Sequence, residues 1–381
     1  MLSDFIISHE NDDVNRLALQ HNRYPQFSDE DWHFILQQIE GRQKAKDKLP
    51  AFYASNGIIY PRRLSMEQCS SEITALYKQQ LITQPAGSFA DLTGGFGVDT
   101  YYLSRRFGTA HYVEQNSELC SIARHNFDVL NAGITVHNQT AQDFLAQTGR
   151  LDLIFIDPAR RNTAGKKVFR IADCEPDLFS LWQTIQSRSS RKMVKLSPMI
   201  EIKELVNSRL SPDRIHIIAV GNECKEVLLL ASTGNHPETV ITAANICNGK
   251  TDIFSFTPGQ ETSAQPVLAD SIRRYLYEPN AAILKAGAYK LISQQYNIGK
   301  LARNSHLYTS DSLIAEFPGR IWAVEPLLQK PLQANVMVRN YPLAAEALKK
   351  KLHIKDGGGD YVIGTTLGNK PLLLHGSRID L

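Results

Sequence analysis

Apolar and polar positions fall into three successive patterns along the chain. The first eighty or so residues are spaced as helices. "SDEDWHFILQQIEGRQKAKDKL", Ser28 to Leu49, carries apolar residues at helical intervals, with Ser28 as N-cap, acids in the first turn and lysines late. "LPAFYASNGIIYPRR" breaks that helix at Pro50, Asn56-Gly57 and Pro61, and "SMEQCSSEITALYKQQLI" resumes helical spacing through Ile73, Leu76, Tyr77 and Leu81. The middle of the chain alternates helical stretches with the short apolar runs "SFADLT", "AHYVEQ", "ITVHN", "LDLIFID", "KMVKLS", "IHIIAV" and "EVLLLAS". Such runs predict buried strands of a doubly wound, largely parallel sheet. Only "GNECK" joins the last two, and a parallel crossover needs a dozen or more residues, so that pair must be an antiparallel hairpin.

After about Asn235 the pattern changes again. "ETVITAANICNG" and "TDIFSFTPG" read as strands, and "SIRRYLYEPNAAILKAGAYKLIS" reads as a helix interrupted at Pro279. "IWAVEPLLQKPLQANVMVRNYPLAAEALKKKL" runs strand then helix, and "DYVIGTTLGNKPLLLHGSRI" is a hairpin around Gly368-Asn369. The expected fold class is α/β: a Rossmann-like seven-stranded sheet, an N-terminal helical region and a C-terminal α+β appendage. The expected boundaries are 1–63 for the helical region, 64–235 for the sheet domain, 236–315 for a small α+β domain and 316–381 for a second one.

Composition narrows the function classes. A chain of 381 residues exceeds one typical core and implies two or three domains at about 150 residues each. Its 43% hydrophobic and 21% charged content is that of a globular protein. A net charge of +3 tolerates a polyanionic partner without the strongly basic signature of a dedicated nucleic-acid binder. Asp4 and the charges after it preclude a signal-peptide core in "MLSDFIISHENDDVNR", and no run approaches the roughly 18 apolar residues of a membrane span, so a cytoplasmic location is expected. Cys69, Cys120, Cys174, Cys224 and Cys247 are widely separated, and neither a disulfide framework nor a metal site is expected.

The chemistry concentrates at "FADLTGGFGVDTYYLSRR", Phe89 to Arg106. A dinucleotide fingerprint would lack its third glycine, and no Gly-Lys-Ser/Thr follows for a phosphate loop. Asp91 stands at the strand end just before Gly94, Gly95 and Gly97, where a carboxylate pairs with a bound ammonium group and repels a pyrophosphate. S-adenosylmethionine (SAM) carries an ammonium group and no phosphate. Glu114 ends the second strand and can accept both ribose hydroxyls, a feature shared with NAD sites. Asp143 follows the third strand, where it can accept an adenine amino group, with Phe144 lining the ring. Three acids at three successive strand ends mark the carboxyl edge where open α/β sheets bind ligands.

In this order the motifs resemble those of class I SAM-dependent methyltransferases over roughly Ser65 to Thr233. The resemblance implies that Thr93, Gly94, Gly95, Gly97 and Asp99 meet the cofactor with Asp91, that Glu114 and Gln115 hold the ribose, and that Asp143 and Phe144 hold the adenine. It makes "IDPAR", Ile156 to Arg160, the fourth motif. "MEQCSSEITA" resembles the segment that nucleic-acid methyltransferases close over the cofactor, which brings in Gln68, Ser70 and Ser71. Across its length, on "NDDVNRLAL", "EQCSSEITALYK", "DPARR" and "VRNYPLAAEALKKKLHIKDGGGDYVIGTT", the chain is similar to a bacterial methyltransferase family with a ferredoxin-like domain (236–315) and a THUMP-like domain (316–381). That likeness implies an RNA substrate, an rRNA or tRNA base.

Asp157, Pro158 and Arg160 are the candidate catalytic residues. In the related (D/N)PP(F/Y/W) motif of exocyclic-amine methyltransferases an aromatic stacks on the base, but this chain has Ala159 and Arg160 in the last two positions. A guanidinium can stack on a base or grip a phosphate instead. The next strand ends "KMVKLSPM", with Lys195 and Ser197 but without the cysteine that uracil-C5 methylation requires. Arg160, Arg161, Lys166, Lys167 and Arg170 place five positive charges in one loop, suited to a phosphate backbone, and Lys195 and Ser197 complete the candidate substrate contacts. A protein or small-molecule acceptor, or a SAM- or RNA-binding module without catalysis, remains an alternative.

Overall fold

The computed structural model describes residues 2–83, 87–160, 171, 174–234 and 238–380. The chain divides into two compact units, one of Met1–Pro212 with Leu228–Asn235 and the other of Asp213–Val227 with His236–Leu381.

The first unit begins with six helices: α1 (Leu2–Ser8), α2 (Val14–Ala18), α3 (Asp29–Lys48), α4 (Pro50–Ala54), α5 (Arg63–Gln68) and α6 (Glu72–Gln80). The predicted N-cap at Ser28 forms, and it does so as a capping box: Ser28 Oγ accepts the Asp31 N–H, and the Asp31 carboxylate accepts the Ser28 N–H. Trp32, Ile35 and Ile39 lie on one face of α3 and bury against Ile6, Leu17 and Phe27. The segment read as one continuous helix from Ser65 to Ile82 is two helices. Cys69 and Ser71 are extended, so one helix ends at Cys69, and Ser71 Oγ accepts the Thr74 N–H to begin the next. The break leaves Ser70 between them with its side chain buried.

The larger sheet contains β1 (Ser88–Asp91), β2 (Thr109–Glu114), β3 (Ile134–Asn138), β4 (Leu151–Ile156), β5 (Ser189–Leu196), β6 (Arg214–Val220), β7 (Glu223–Ser232), β8 (Val240–Cys247) and β9 (Lys250–Phe256). Their order is β9-β8-β6-β7-β5-β4-β1-β2-β3. All seven strands read from the sequence are present, and β1 pairs in parallel with both β2 and β4. The predicted hairpin turns at Gly221 and Asn222, whose φ values of +57° and +65° fit the left-handed pair of a type I′ turn. β8 and β9, expected in the appendage, extend this sheet: β8 runs parallel to β6, and β9 antiparallel to β8. Ile241, Ala243 and Ala244 of β8 are buried, which is why this strand sits inside the sheet rather than at its edge. Helices α7 (Val98–Ser104), α8 (Ser117–Val129), α9 (Ala141–Gln147), α10 (Leu178–Arg188) and α11 (Ile202–Val206) follow strands of the first unit.

The second unit adds α12 (Pro258–Ser263), α13 (Ala281–Ala286), α14 (Leu291–Gln295) and α15 (Ala345–Leu352). Its own sheet has β10 (Tyr275–Pro279), β11 (Gly299–Lys300), β12 (Tyr308–Ser310), β13 (Gly319–Pro326), β14 (Asn335–Val338), β15 (Asp360–Leu367) and β16 (Lys370–Ile379), in the order β11-β12-β10-β13-β16-β15-β14. β10 corrects the helix expected there. Tyr275 to Pro279 pairs antiparallel with both β12 and β13, and tertiary pairing overrides the helical spacing. The hairpin of β15 and β16 forms around Gly368-Asn369 as expected. Glu278 of β10 is 1% exposed, and its two oxygens are gripped separately by Arg320 of β13 and by Arg339 just past β14.

A buried carboxylate stripped of its counter-charges is strongly destabilising. The Arg320→Ala, Arg339→Ala double variant should lose on the order of 3 kcal/mol, with each single variant losing less than half, read from urea midpoints of the full chain.

Candidate active site

The glycine turn is shaped by the strand beneath it. The Gly94 N–H donates to Val113 O at 2.9 Å, so the turn lies directly on β2. A Cβ at Gly94 would stand 2.1 Å from the Tyr112 ring, and one at Gly97, where φ is +84°, would stand 2.7 Å from Phe127. Only glycine allows that approach. The Tyr112 hydroxyl donates to Gly95 O at 2.6 Å and fixes the crest of the turn. Glu114 is tied to the same crest: its Oε2 accepts the Gly95 N–H at 3.1 Å, and its Oε1 accepts the Asn116 N–H at 2.8 Å. Each carboxylate oxygen keeps acceptor capacity beyond that one bond. Asn138 Nδ2 donates to the carbonyls of Glu114 and Gln115, holding the ends of β2 and β3 together, while the Gln115 side chain is exposed.

Asp91, at the end of β1, is 1% exposed. Its Oδ2 accepts the Thr100 hydroxyl at 2.6 Å, and its Oδ1 accepts the Thr93 N–H at 3.0 Å. Burial pushes this carboxyl up to about 7, against the opposing pull of those hydrogen bonds. Thr93 also reaches the end of β4, where its Oγ1 accepts the Asp157 N–H at 2.6 Å. The glycine turn and the Asp157-Pro158 step are thereby bonded to one another.

A buried ionic cluster lies beside them. Ser70 Oγ donates to Asp99 Oδ2 at 2.6 Å and accepts from Lys78 Nζ at 3.0 Å and Lys195 Nζ at 3.2 Å. Lys78 pairs with Asp99 Oδ1 at 3.0 Å, and Lys195 pairs with Asp99 Oδ2 at 3.5 Å and with Asp157 Oδ2 at 2.5 Å. Lys78 has no exposed surface, while the Asp157 side chain is 35% exposed. Burial pushes the Asp99 carboxyl up, but the two ammonium groups outweigh it and hold it below the usual carboxylate range. At Asp157 burial prevails and raises the carboxyl, with Lys195 opposing it. The helix break at Ser70, the start of α7, and the ends of β4 and β5 converge on this cluster.

The structure therefore brings together Ser70, Asp91, Thr93, the three glycines, Asp99, Glu114, Asp157 and Lys195 of the candidate set. Lys78 was missed by the sequence reading. Its signal is positional, because it shares a face of α6 with buried Thr74 and Ala75, where a lysine needs a buried partner. The other candidates have local roles. Gln68 is exposed at the end of α5, and Ser71 caps α6. Asp143 is exposed and its carboxylate accepts the Thr140 hydroxyl at 2.7 Å, while Phe144 is buried against the His111 and His137 rings. Ser197 Oγ accepts the Met199 N–H, and Pro158 is buried. Arg160 lies in a two-residue strand paired with Cys174–Glu175. Arg161, Lys166, Lys167 and Arg170 lie outside the described residues. Among the described residues no group of three or more His, Cys, Asp or Glu could hold a metal ion, and no helix is long and apolar enough to cross a membrane.

A crystal structure from Porphyromonas gingivalis W83, described as a proposed methyltransferase, matches the whole chain. It is 33% identical, covers 100% of this chain and 98% of its own, and superposes with a TM-score of 0.88. The chain belongs to this class I methyltransferase family. Two family models match its C-terminal part: a ferredoxin-like domain at residues 275–318 and a THUMP domain-like segment at 316–378. Weaker likenesses include a proposed class I SAM-dependent methyltransferase from Listeria monocytogenes (13% identity, 64% of this chain and 90% of that one, TM-score 0.38). Another is M. capricolum TrmK with S-adenosyl-homocysteine (11% identity, 42% of this chain and 68% of that one, TM-score 0.33). No curated protein sequence matches the chain.

Two measurements check the electrostatics of this methyltransferase-family site. The folded Asp91 carboxyl titrates near 7 against an ordinary 3.8, so its contribution is present at low pH and is lost as pH rises from 3.8 through about 7. Asp91→Asn should therefore gain stability relative to the unaltered protein between those pH values, by up to about 4 kcal/mol, in urea titrations across that range. Lys78→Met strands Asp99 beside Lys195 alone and should cost about 3–5 kcal/mol; adding Asp99→Asn should recover part of that loss, because it removes the underpaired charge.

Proposed function

We propose that this protein is a SAM-dependent methyltransferase that modifies RNA. The observation that carries the reading is Glu114, held by the Gly95 and Asn116 N–H groups so that its remaining acceptor capacity stands beside a turn with no room for side chains at Gly94 or Gly97. That arrangement fits an adenosyl group with a ribose and without a pyrophosphate. Glu114 would hold the ribose hydroxyls, and Asp91 would face the ammonium of the amino-acid end, a charge that favours the ionised form of a carboxyl otherwise poised near 7. Asp143 and Phe144 are the proposed adenine contacts. When bound, the cofactor supplies a methyl group on a sulfonium, an electrophile that needs little more than alignment with its acceptor. Asp157, at the end of β4 and partly exposed, is the residue of this cluster with most access to that acceptor.

The RNA part of the reading rests on the THUMP-like segment and on the basic residues. On α15 and just after it, Lys349 is paired with Asp356, whereas the side chains of Lys350, Lys351 and Lys355 are exposed. These lysines, and separately the basic sequence run of Arg160, Arg161, Lys166, Lys167 and Arg170, would each neutralise phosphates of an RNA backbone. Pro158 and Ser197 would border the acceptor.

Methyl transfer from labelled SAM into total RNA from cells lacking the protein tests the reading, with RNA from cells containing it as the control. Label should enter only the RNA from deficient cells. Glu114→Ala should weaken SAM binding by about 10- to 100-fold in calorimetry, the worth of lost hydrogen bonds to a charged acceptor. Binding without label in either RNA would turn the assignment to a protein or small-molecule acceptor, or to a module without catalysis.

A further inference from the structure

The acceptor end of the site has a charge arrangement that discriminates between kinds of acceptor atom. Lys195 Nζ lies 2.5 Å from Asp157 Oδ2 and is anchored from behind by Ser70 Oγ at 3.2 Å and Asp99 Oδ2 at 3.5 Å. Lys78 secures both anchors from the fully buried side. A nitrogen acceptor attacks a sulfonium through its lone pair and needs neither a proton acceptor nor a nearby cation to do so. A hydroxyl acceptor becomes more negative as its proton leaves, so the same ammonium favours it. The residues after Asp157 point the same way. Position 160 holds Arg where the amine-methylating motif has its aromatic, and a guanidinium suits the phosphates that flank a ribose hydroxyl.

We propose that the acceptor is a ribose 2′-hydroxyl of RNA, with Asp157 taking its proton and Lys195 stabilising the negative charge that develops on its oxygen. This rests on the RNA methyltransferase reading above and replaces the base with the sugar as the modified group. In the step, the hydroxyl oxygen forms a bond to the methyl carbon, and the carbon–sulfur bond breaks with its electron pair passing to sulfur. The hydroxyl proton passes to the Asp157 carboxylate. The cluster gains one positive charge as the sulfonium charge disappears, so the charge of the site as a whole is conserved. Asp157 and Lys195 are catalytic residues in this scheme, whereas Lys78, Ser70 and Asp99 are positioning residues that act through Lys195. The raised carboxyl of Asp157 is consistent with a proton acceptor.

Alkaline hydrolysis of the labelled RNA decides the question, because a methylated 2′-hydroxyl blocks cleavage at its own linkage. Label should be recovered in alkali-resistant dinucleotides. Label in mononucleotides would overturn the sugar assignment while leaving the RNA reading intact, and absence of label from RNA would overturn that reading and this inference with it. Lys195→Met should reduce incorporation by about 100-fold while SAM affinity changes by less than about twofold, and retention of the full rate would remove the ammonium from the mechanism. A readout independent of turnover uses carbon-13 lysine resonances of the cofactor-free protein. Asp157→Asn should lower the titration midpoint of Lys195 by about 1 pH unit or more, and an unchanged midpoint would show that the pair does not form and overturn the proposal.

Discussion

The structure of the site depends on a constraint of burial: Lys78, Lys195 and Asp99 have been drawn out of water with Asp157 at their rim, and each must find its counter-charge within the same few ångströms. Ion pairs in such surroundings contribute little net stability once desolvation is counted, but an unpaired member is severely destabilising. That asymmetry makes geometry compulsory. Asp99 must begin α7 where it does, Ser70 must leave the helical path, and Lys195 must end β5 level with Asp157, because displacing any one of them leaves a neighbour unsatisfied.

A second constraint comes from close approach. Tyr112 occupies the space that side chains at Gly94 would need, and its hydroxyl then fixes the Gly95 carbonyl. One aromatic residue on the strand therefore sets the path of the turn and holds the Gly95 carbonyl, while Glu114 holds the N–H of the same residue. Thr93 carries the same order to the end of β4. The cofactor side and the acceptor side are thus connected by short hydrogen bonds within one unit of the chain, rather than through flexible side chains.

The strand ends, the glycines and the hairpin at Gly221-Asn222 were legible in the sequence because local rules govern them: buried runs of fixed length, positive φ, and a connection too short to cross over. The second helix was misread as continuous because its helical spacing persists across Cys69 to Ser71, and only the capping bond of Ser71 shows the break. Tyr275 to Pro279 was misread as helix because its pairing partners lie more than thirty residues away in the sequence. Lys78 went unnoticed because a lysine among apolar residues is ordinarily taken to reach solvent, and its partners come from distant parts of the chain. The acids at the strand ends were visible as residues, but not that Asp91 would be sealed by Thr100, or that Asp99 and Asp157 would share one ammonium.

The placement of β8 bears on how this protein can be divided. A chain ended at residue 235, just where the composition changes, would keep β6 but lose the strand that pairs with it from Arg214 to Val220. Those residues are mostly apolar and buried, and they would become an open sheet edge with unpaired amides. Such a fragment would invite self-association through that edge even with every residue of the candidate active site intact. The change of composition at residue 235 is therefore not where the sheet ends, since β8, β9 and the helix α13 that packs on β6 and β8 all follow it.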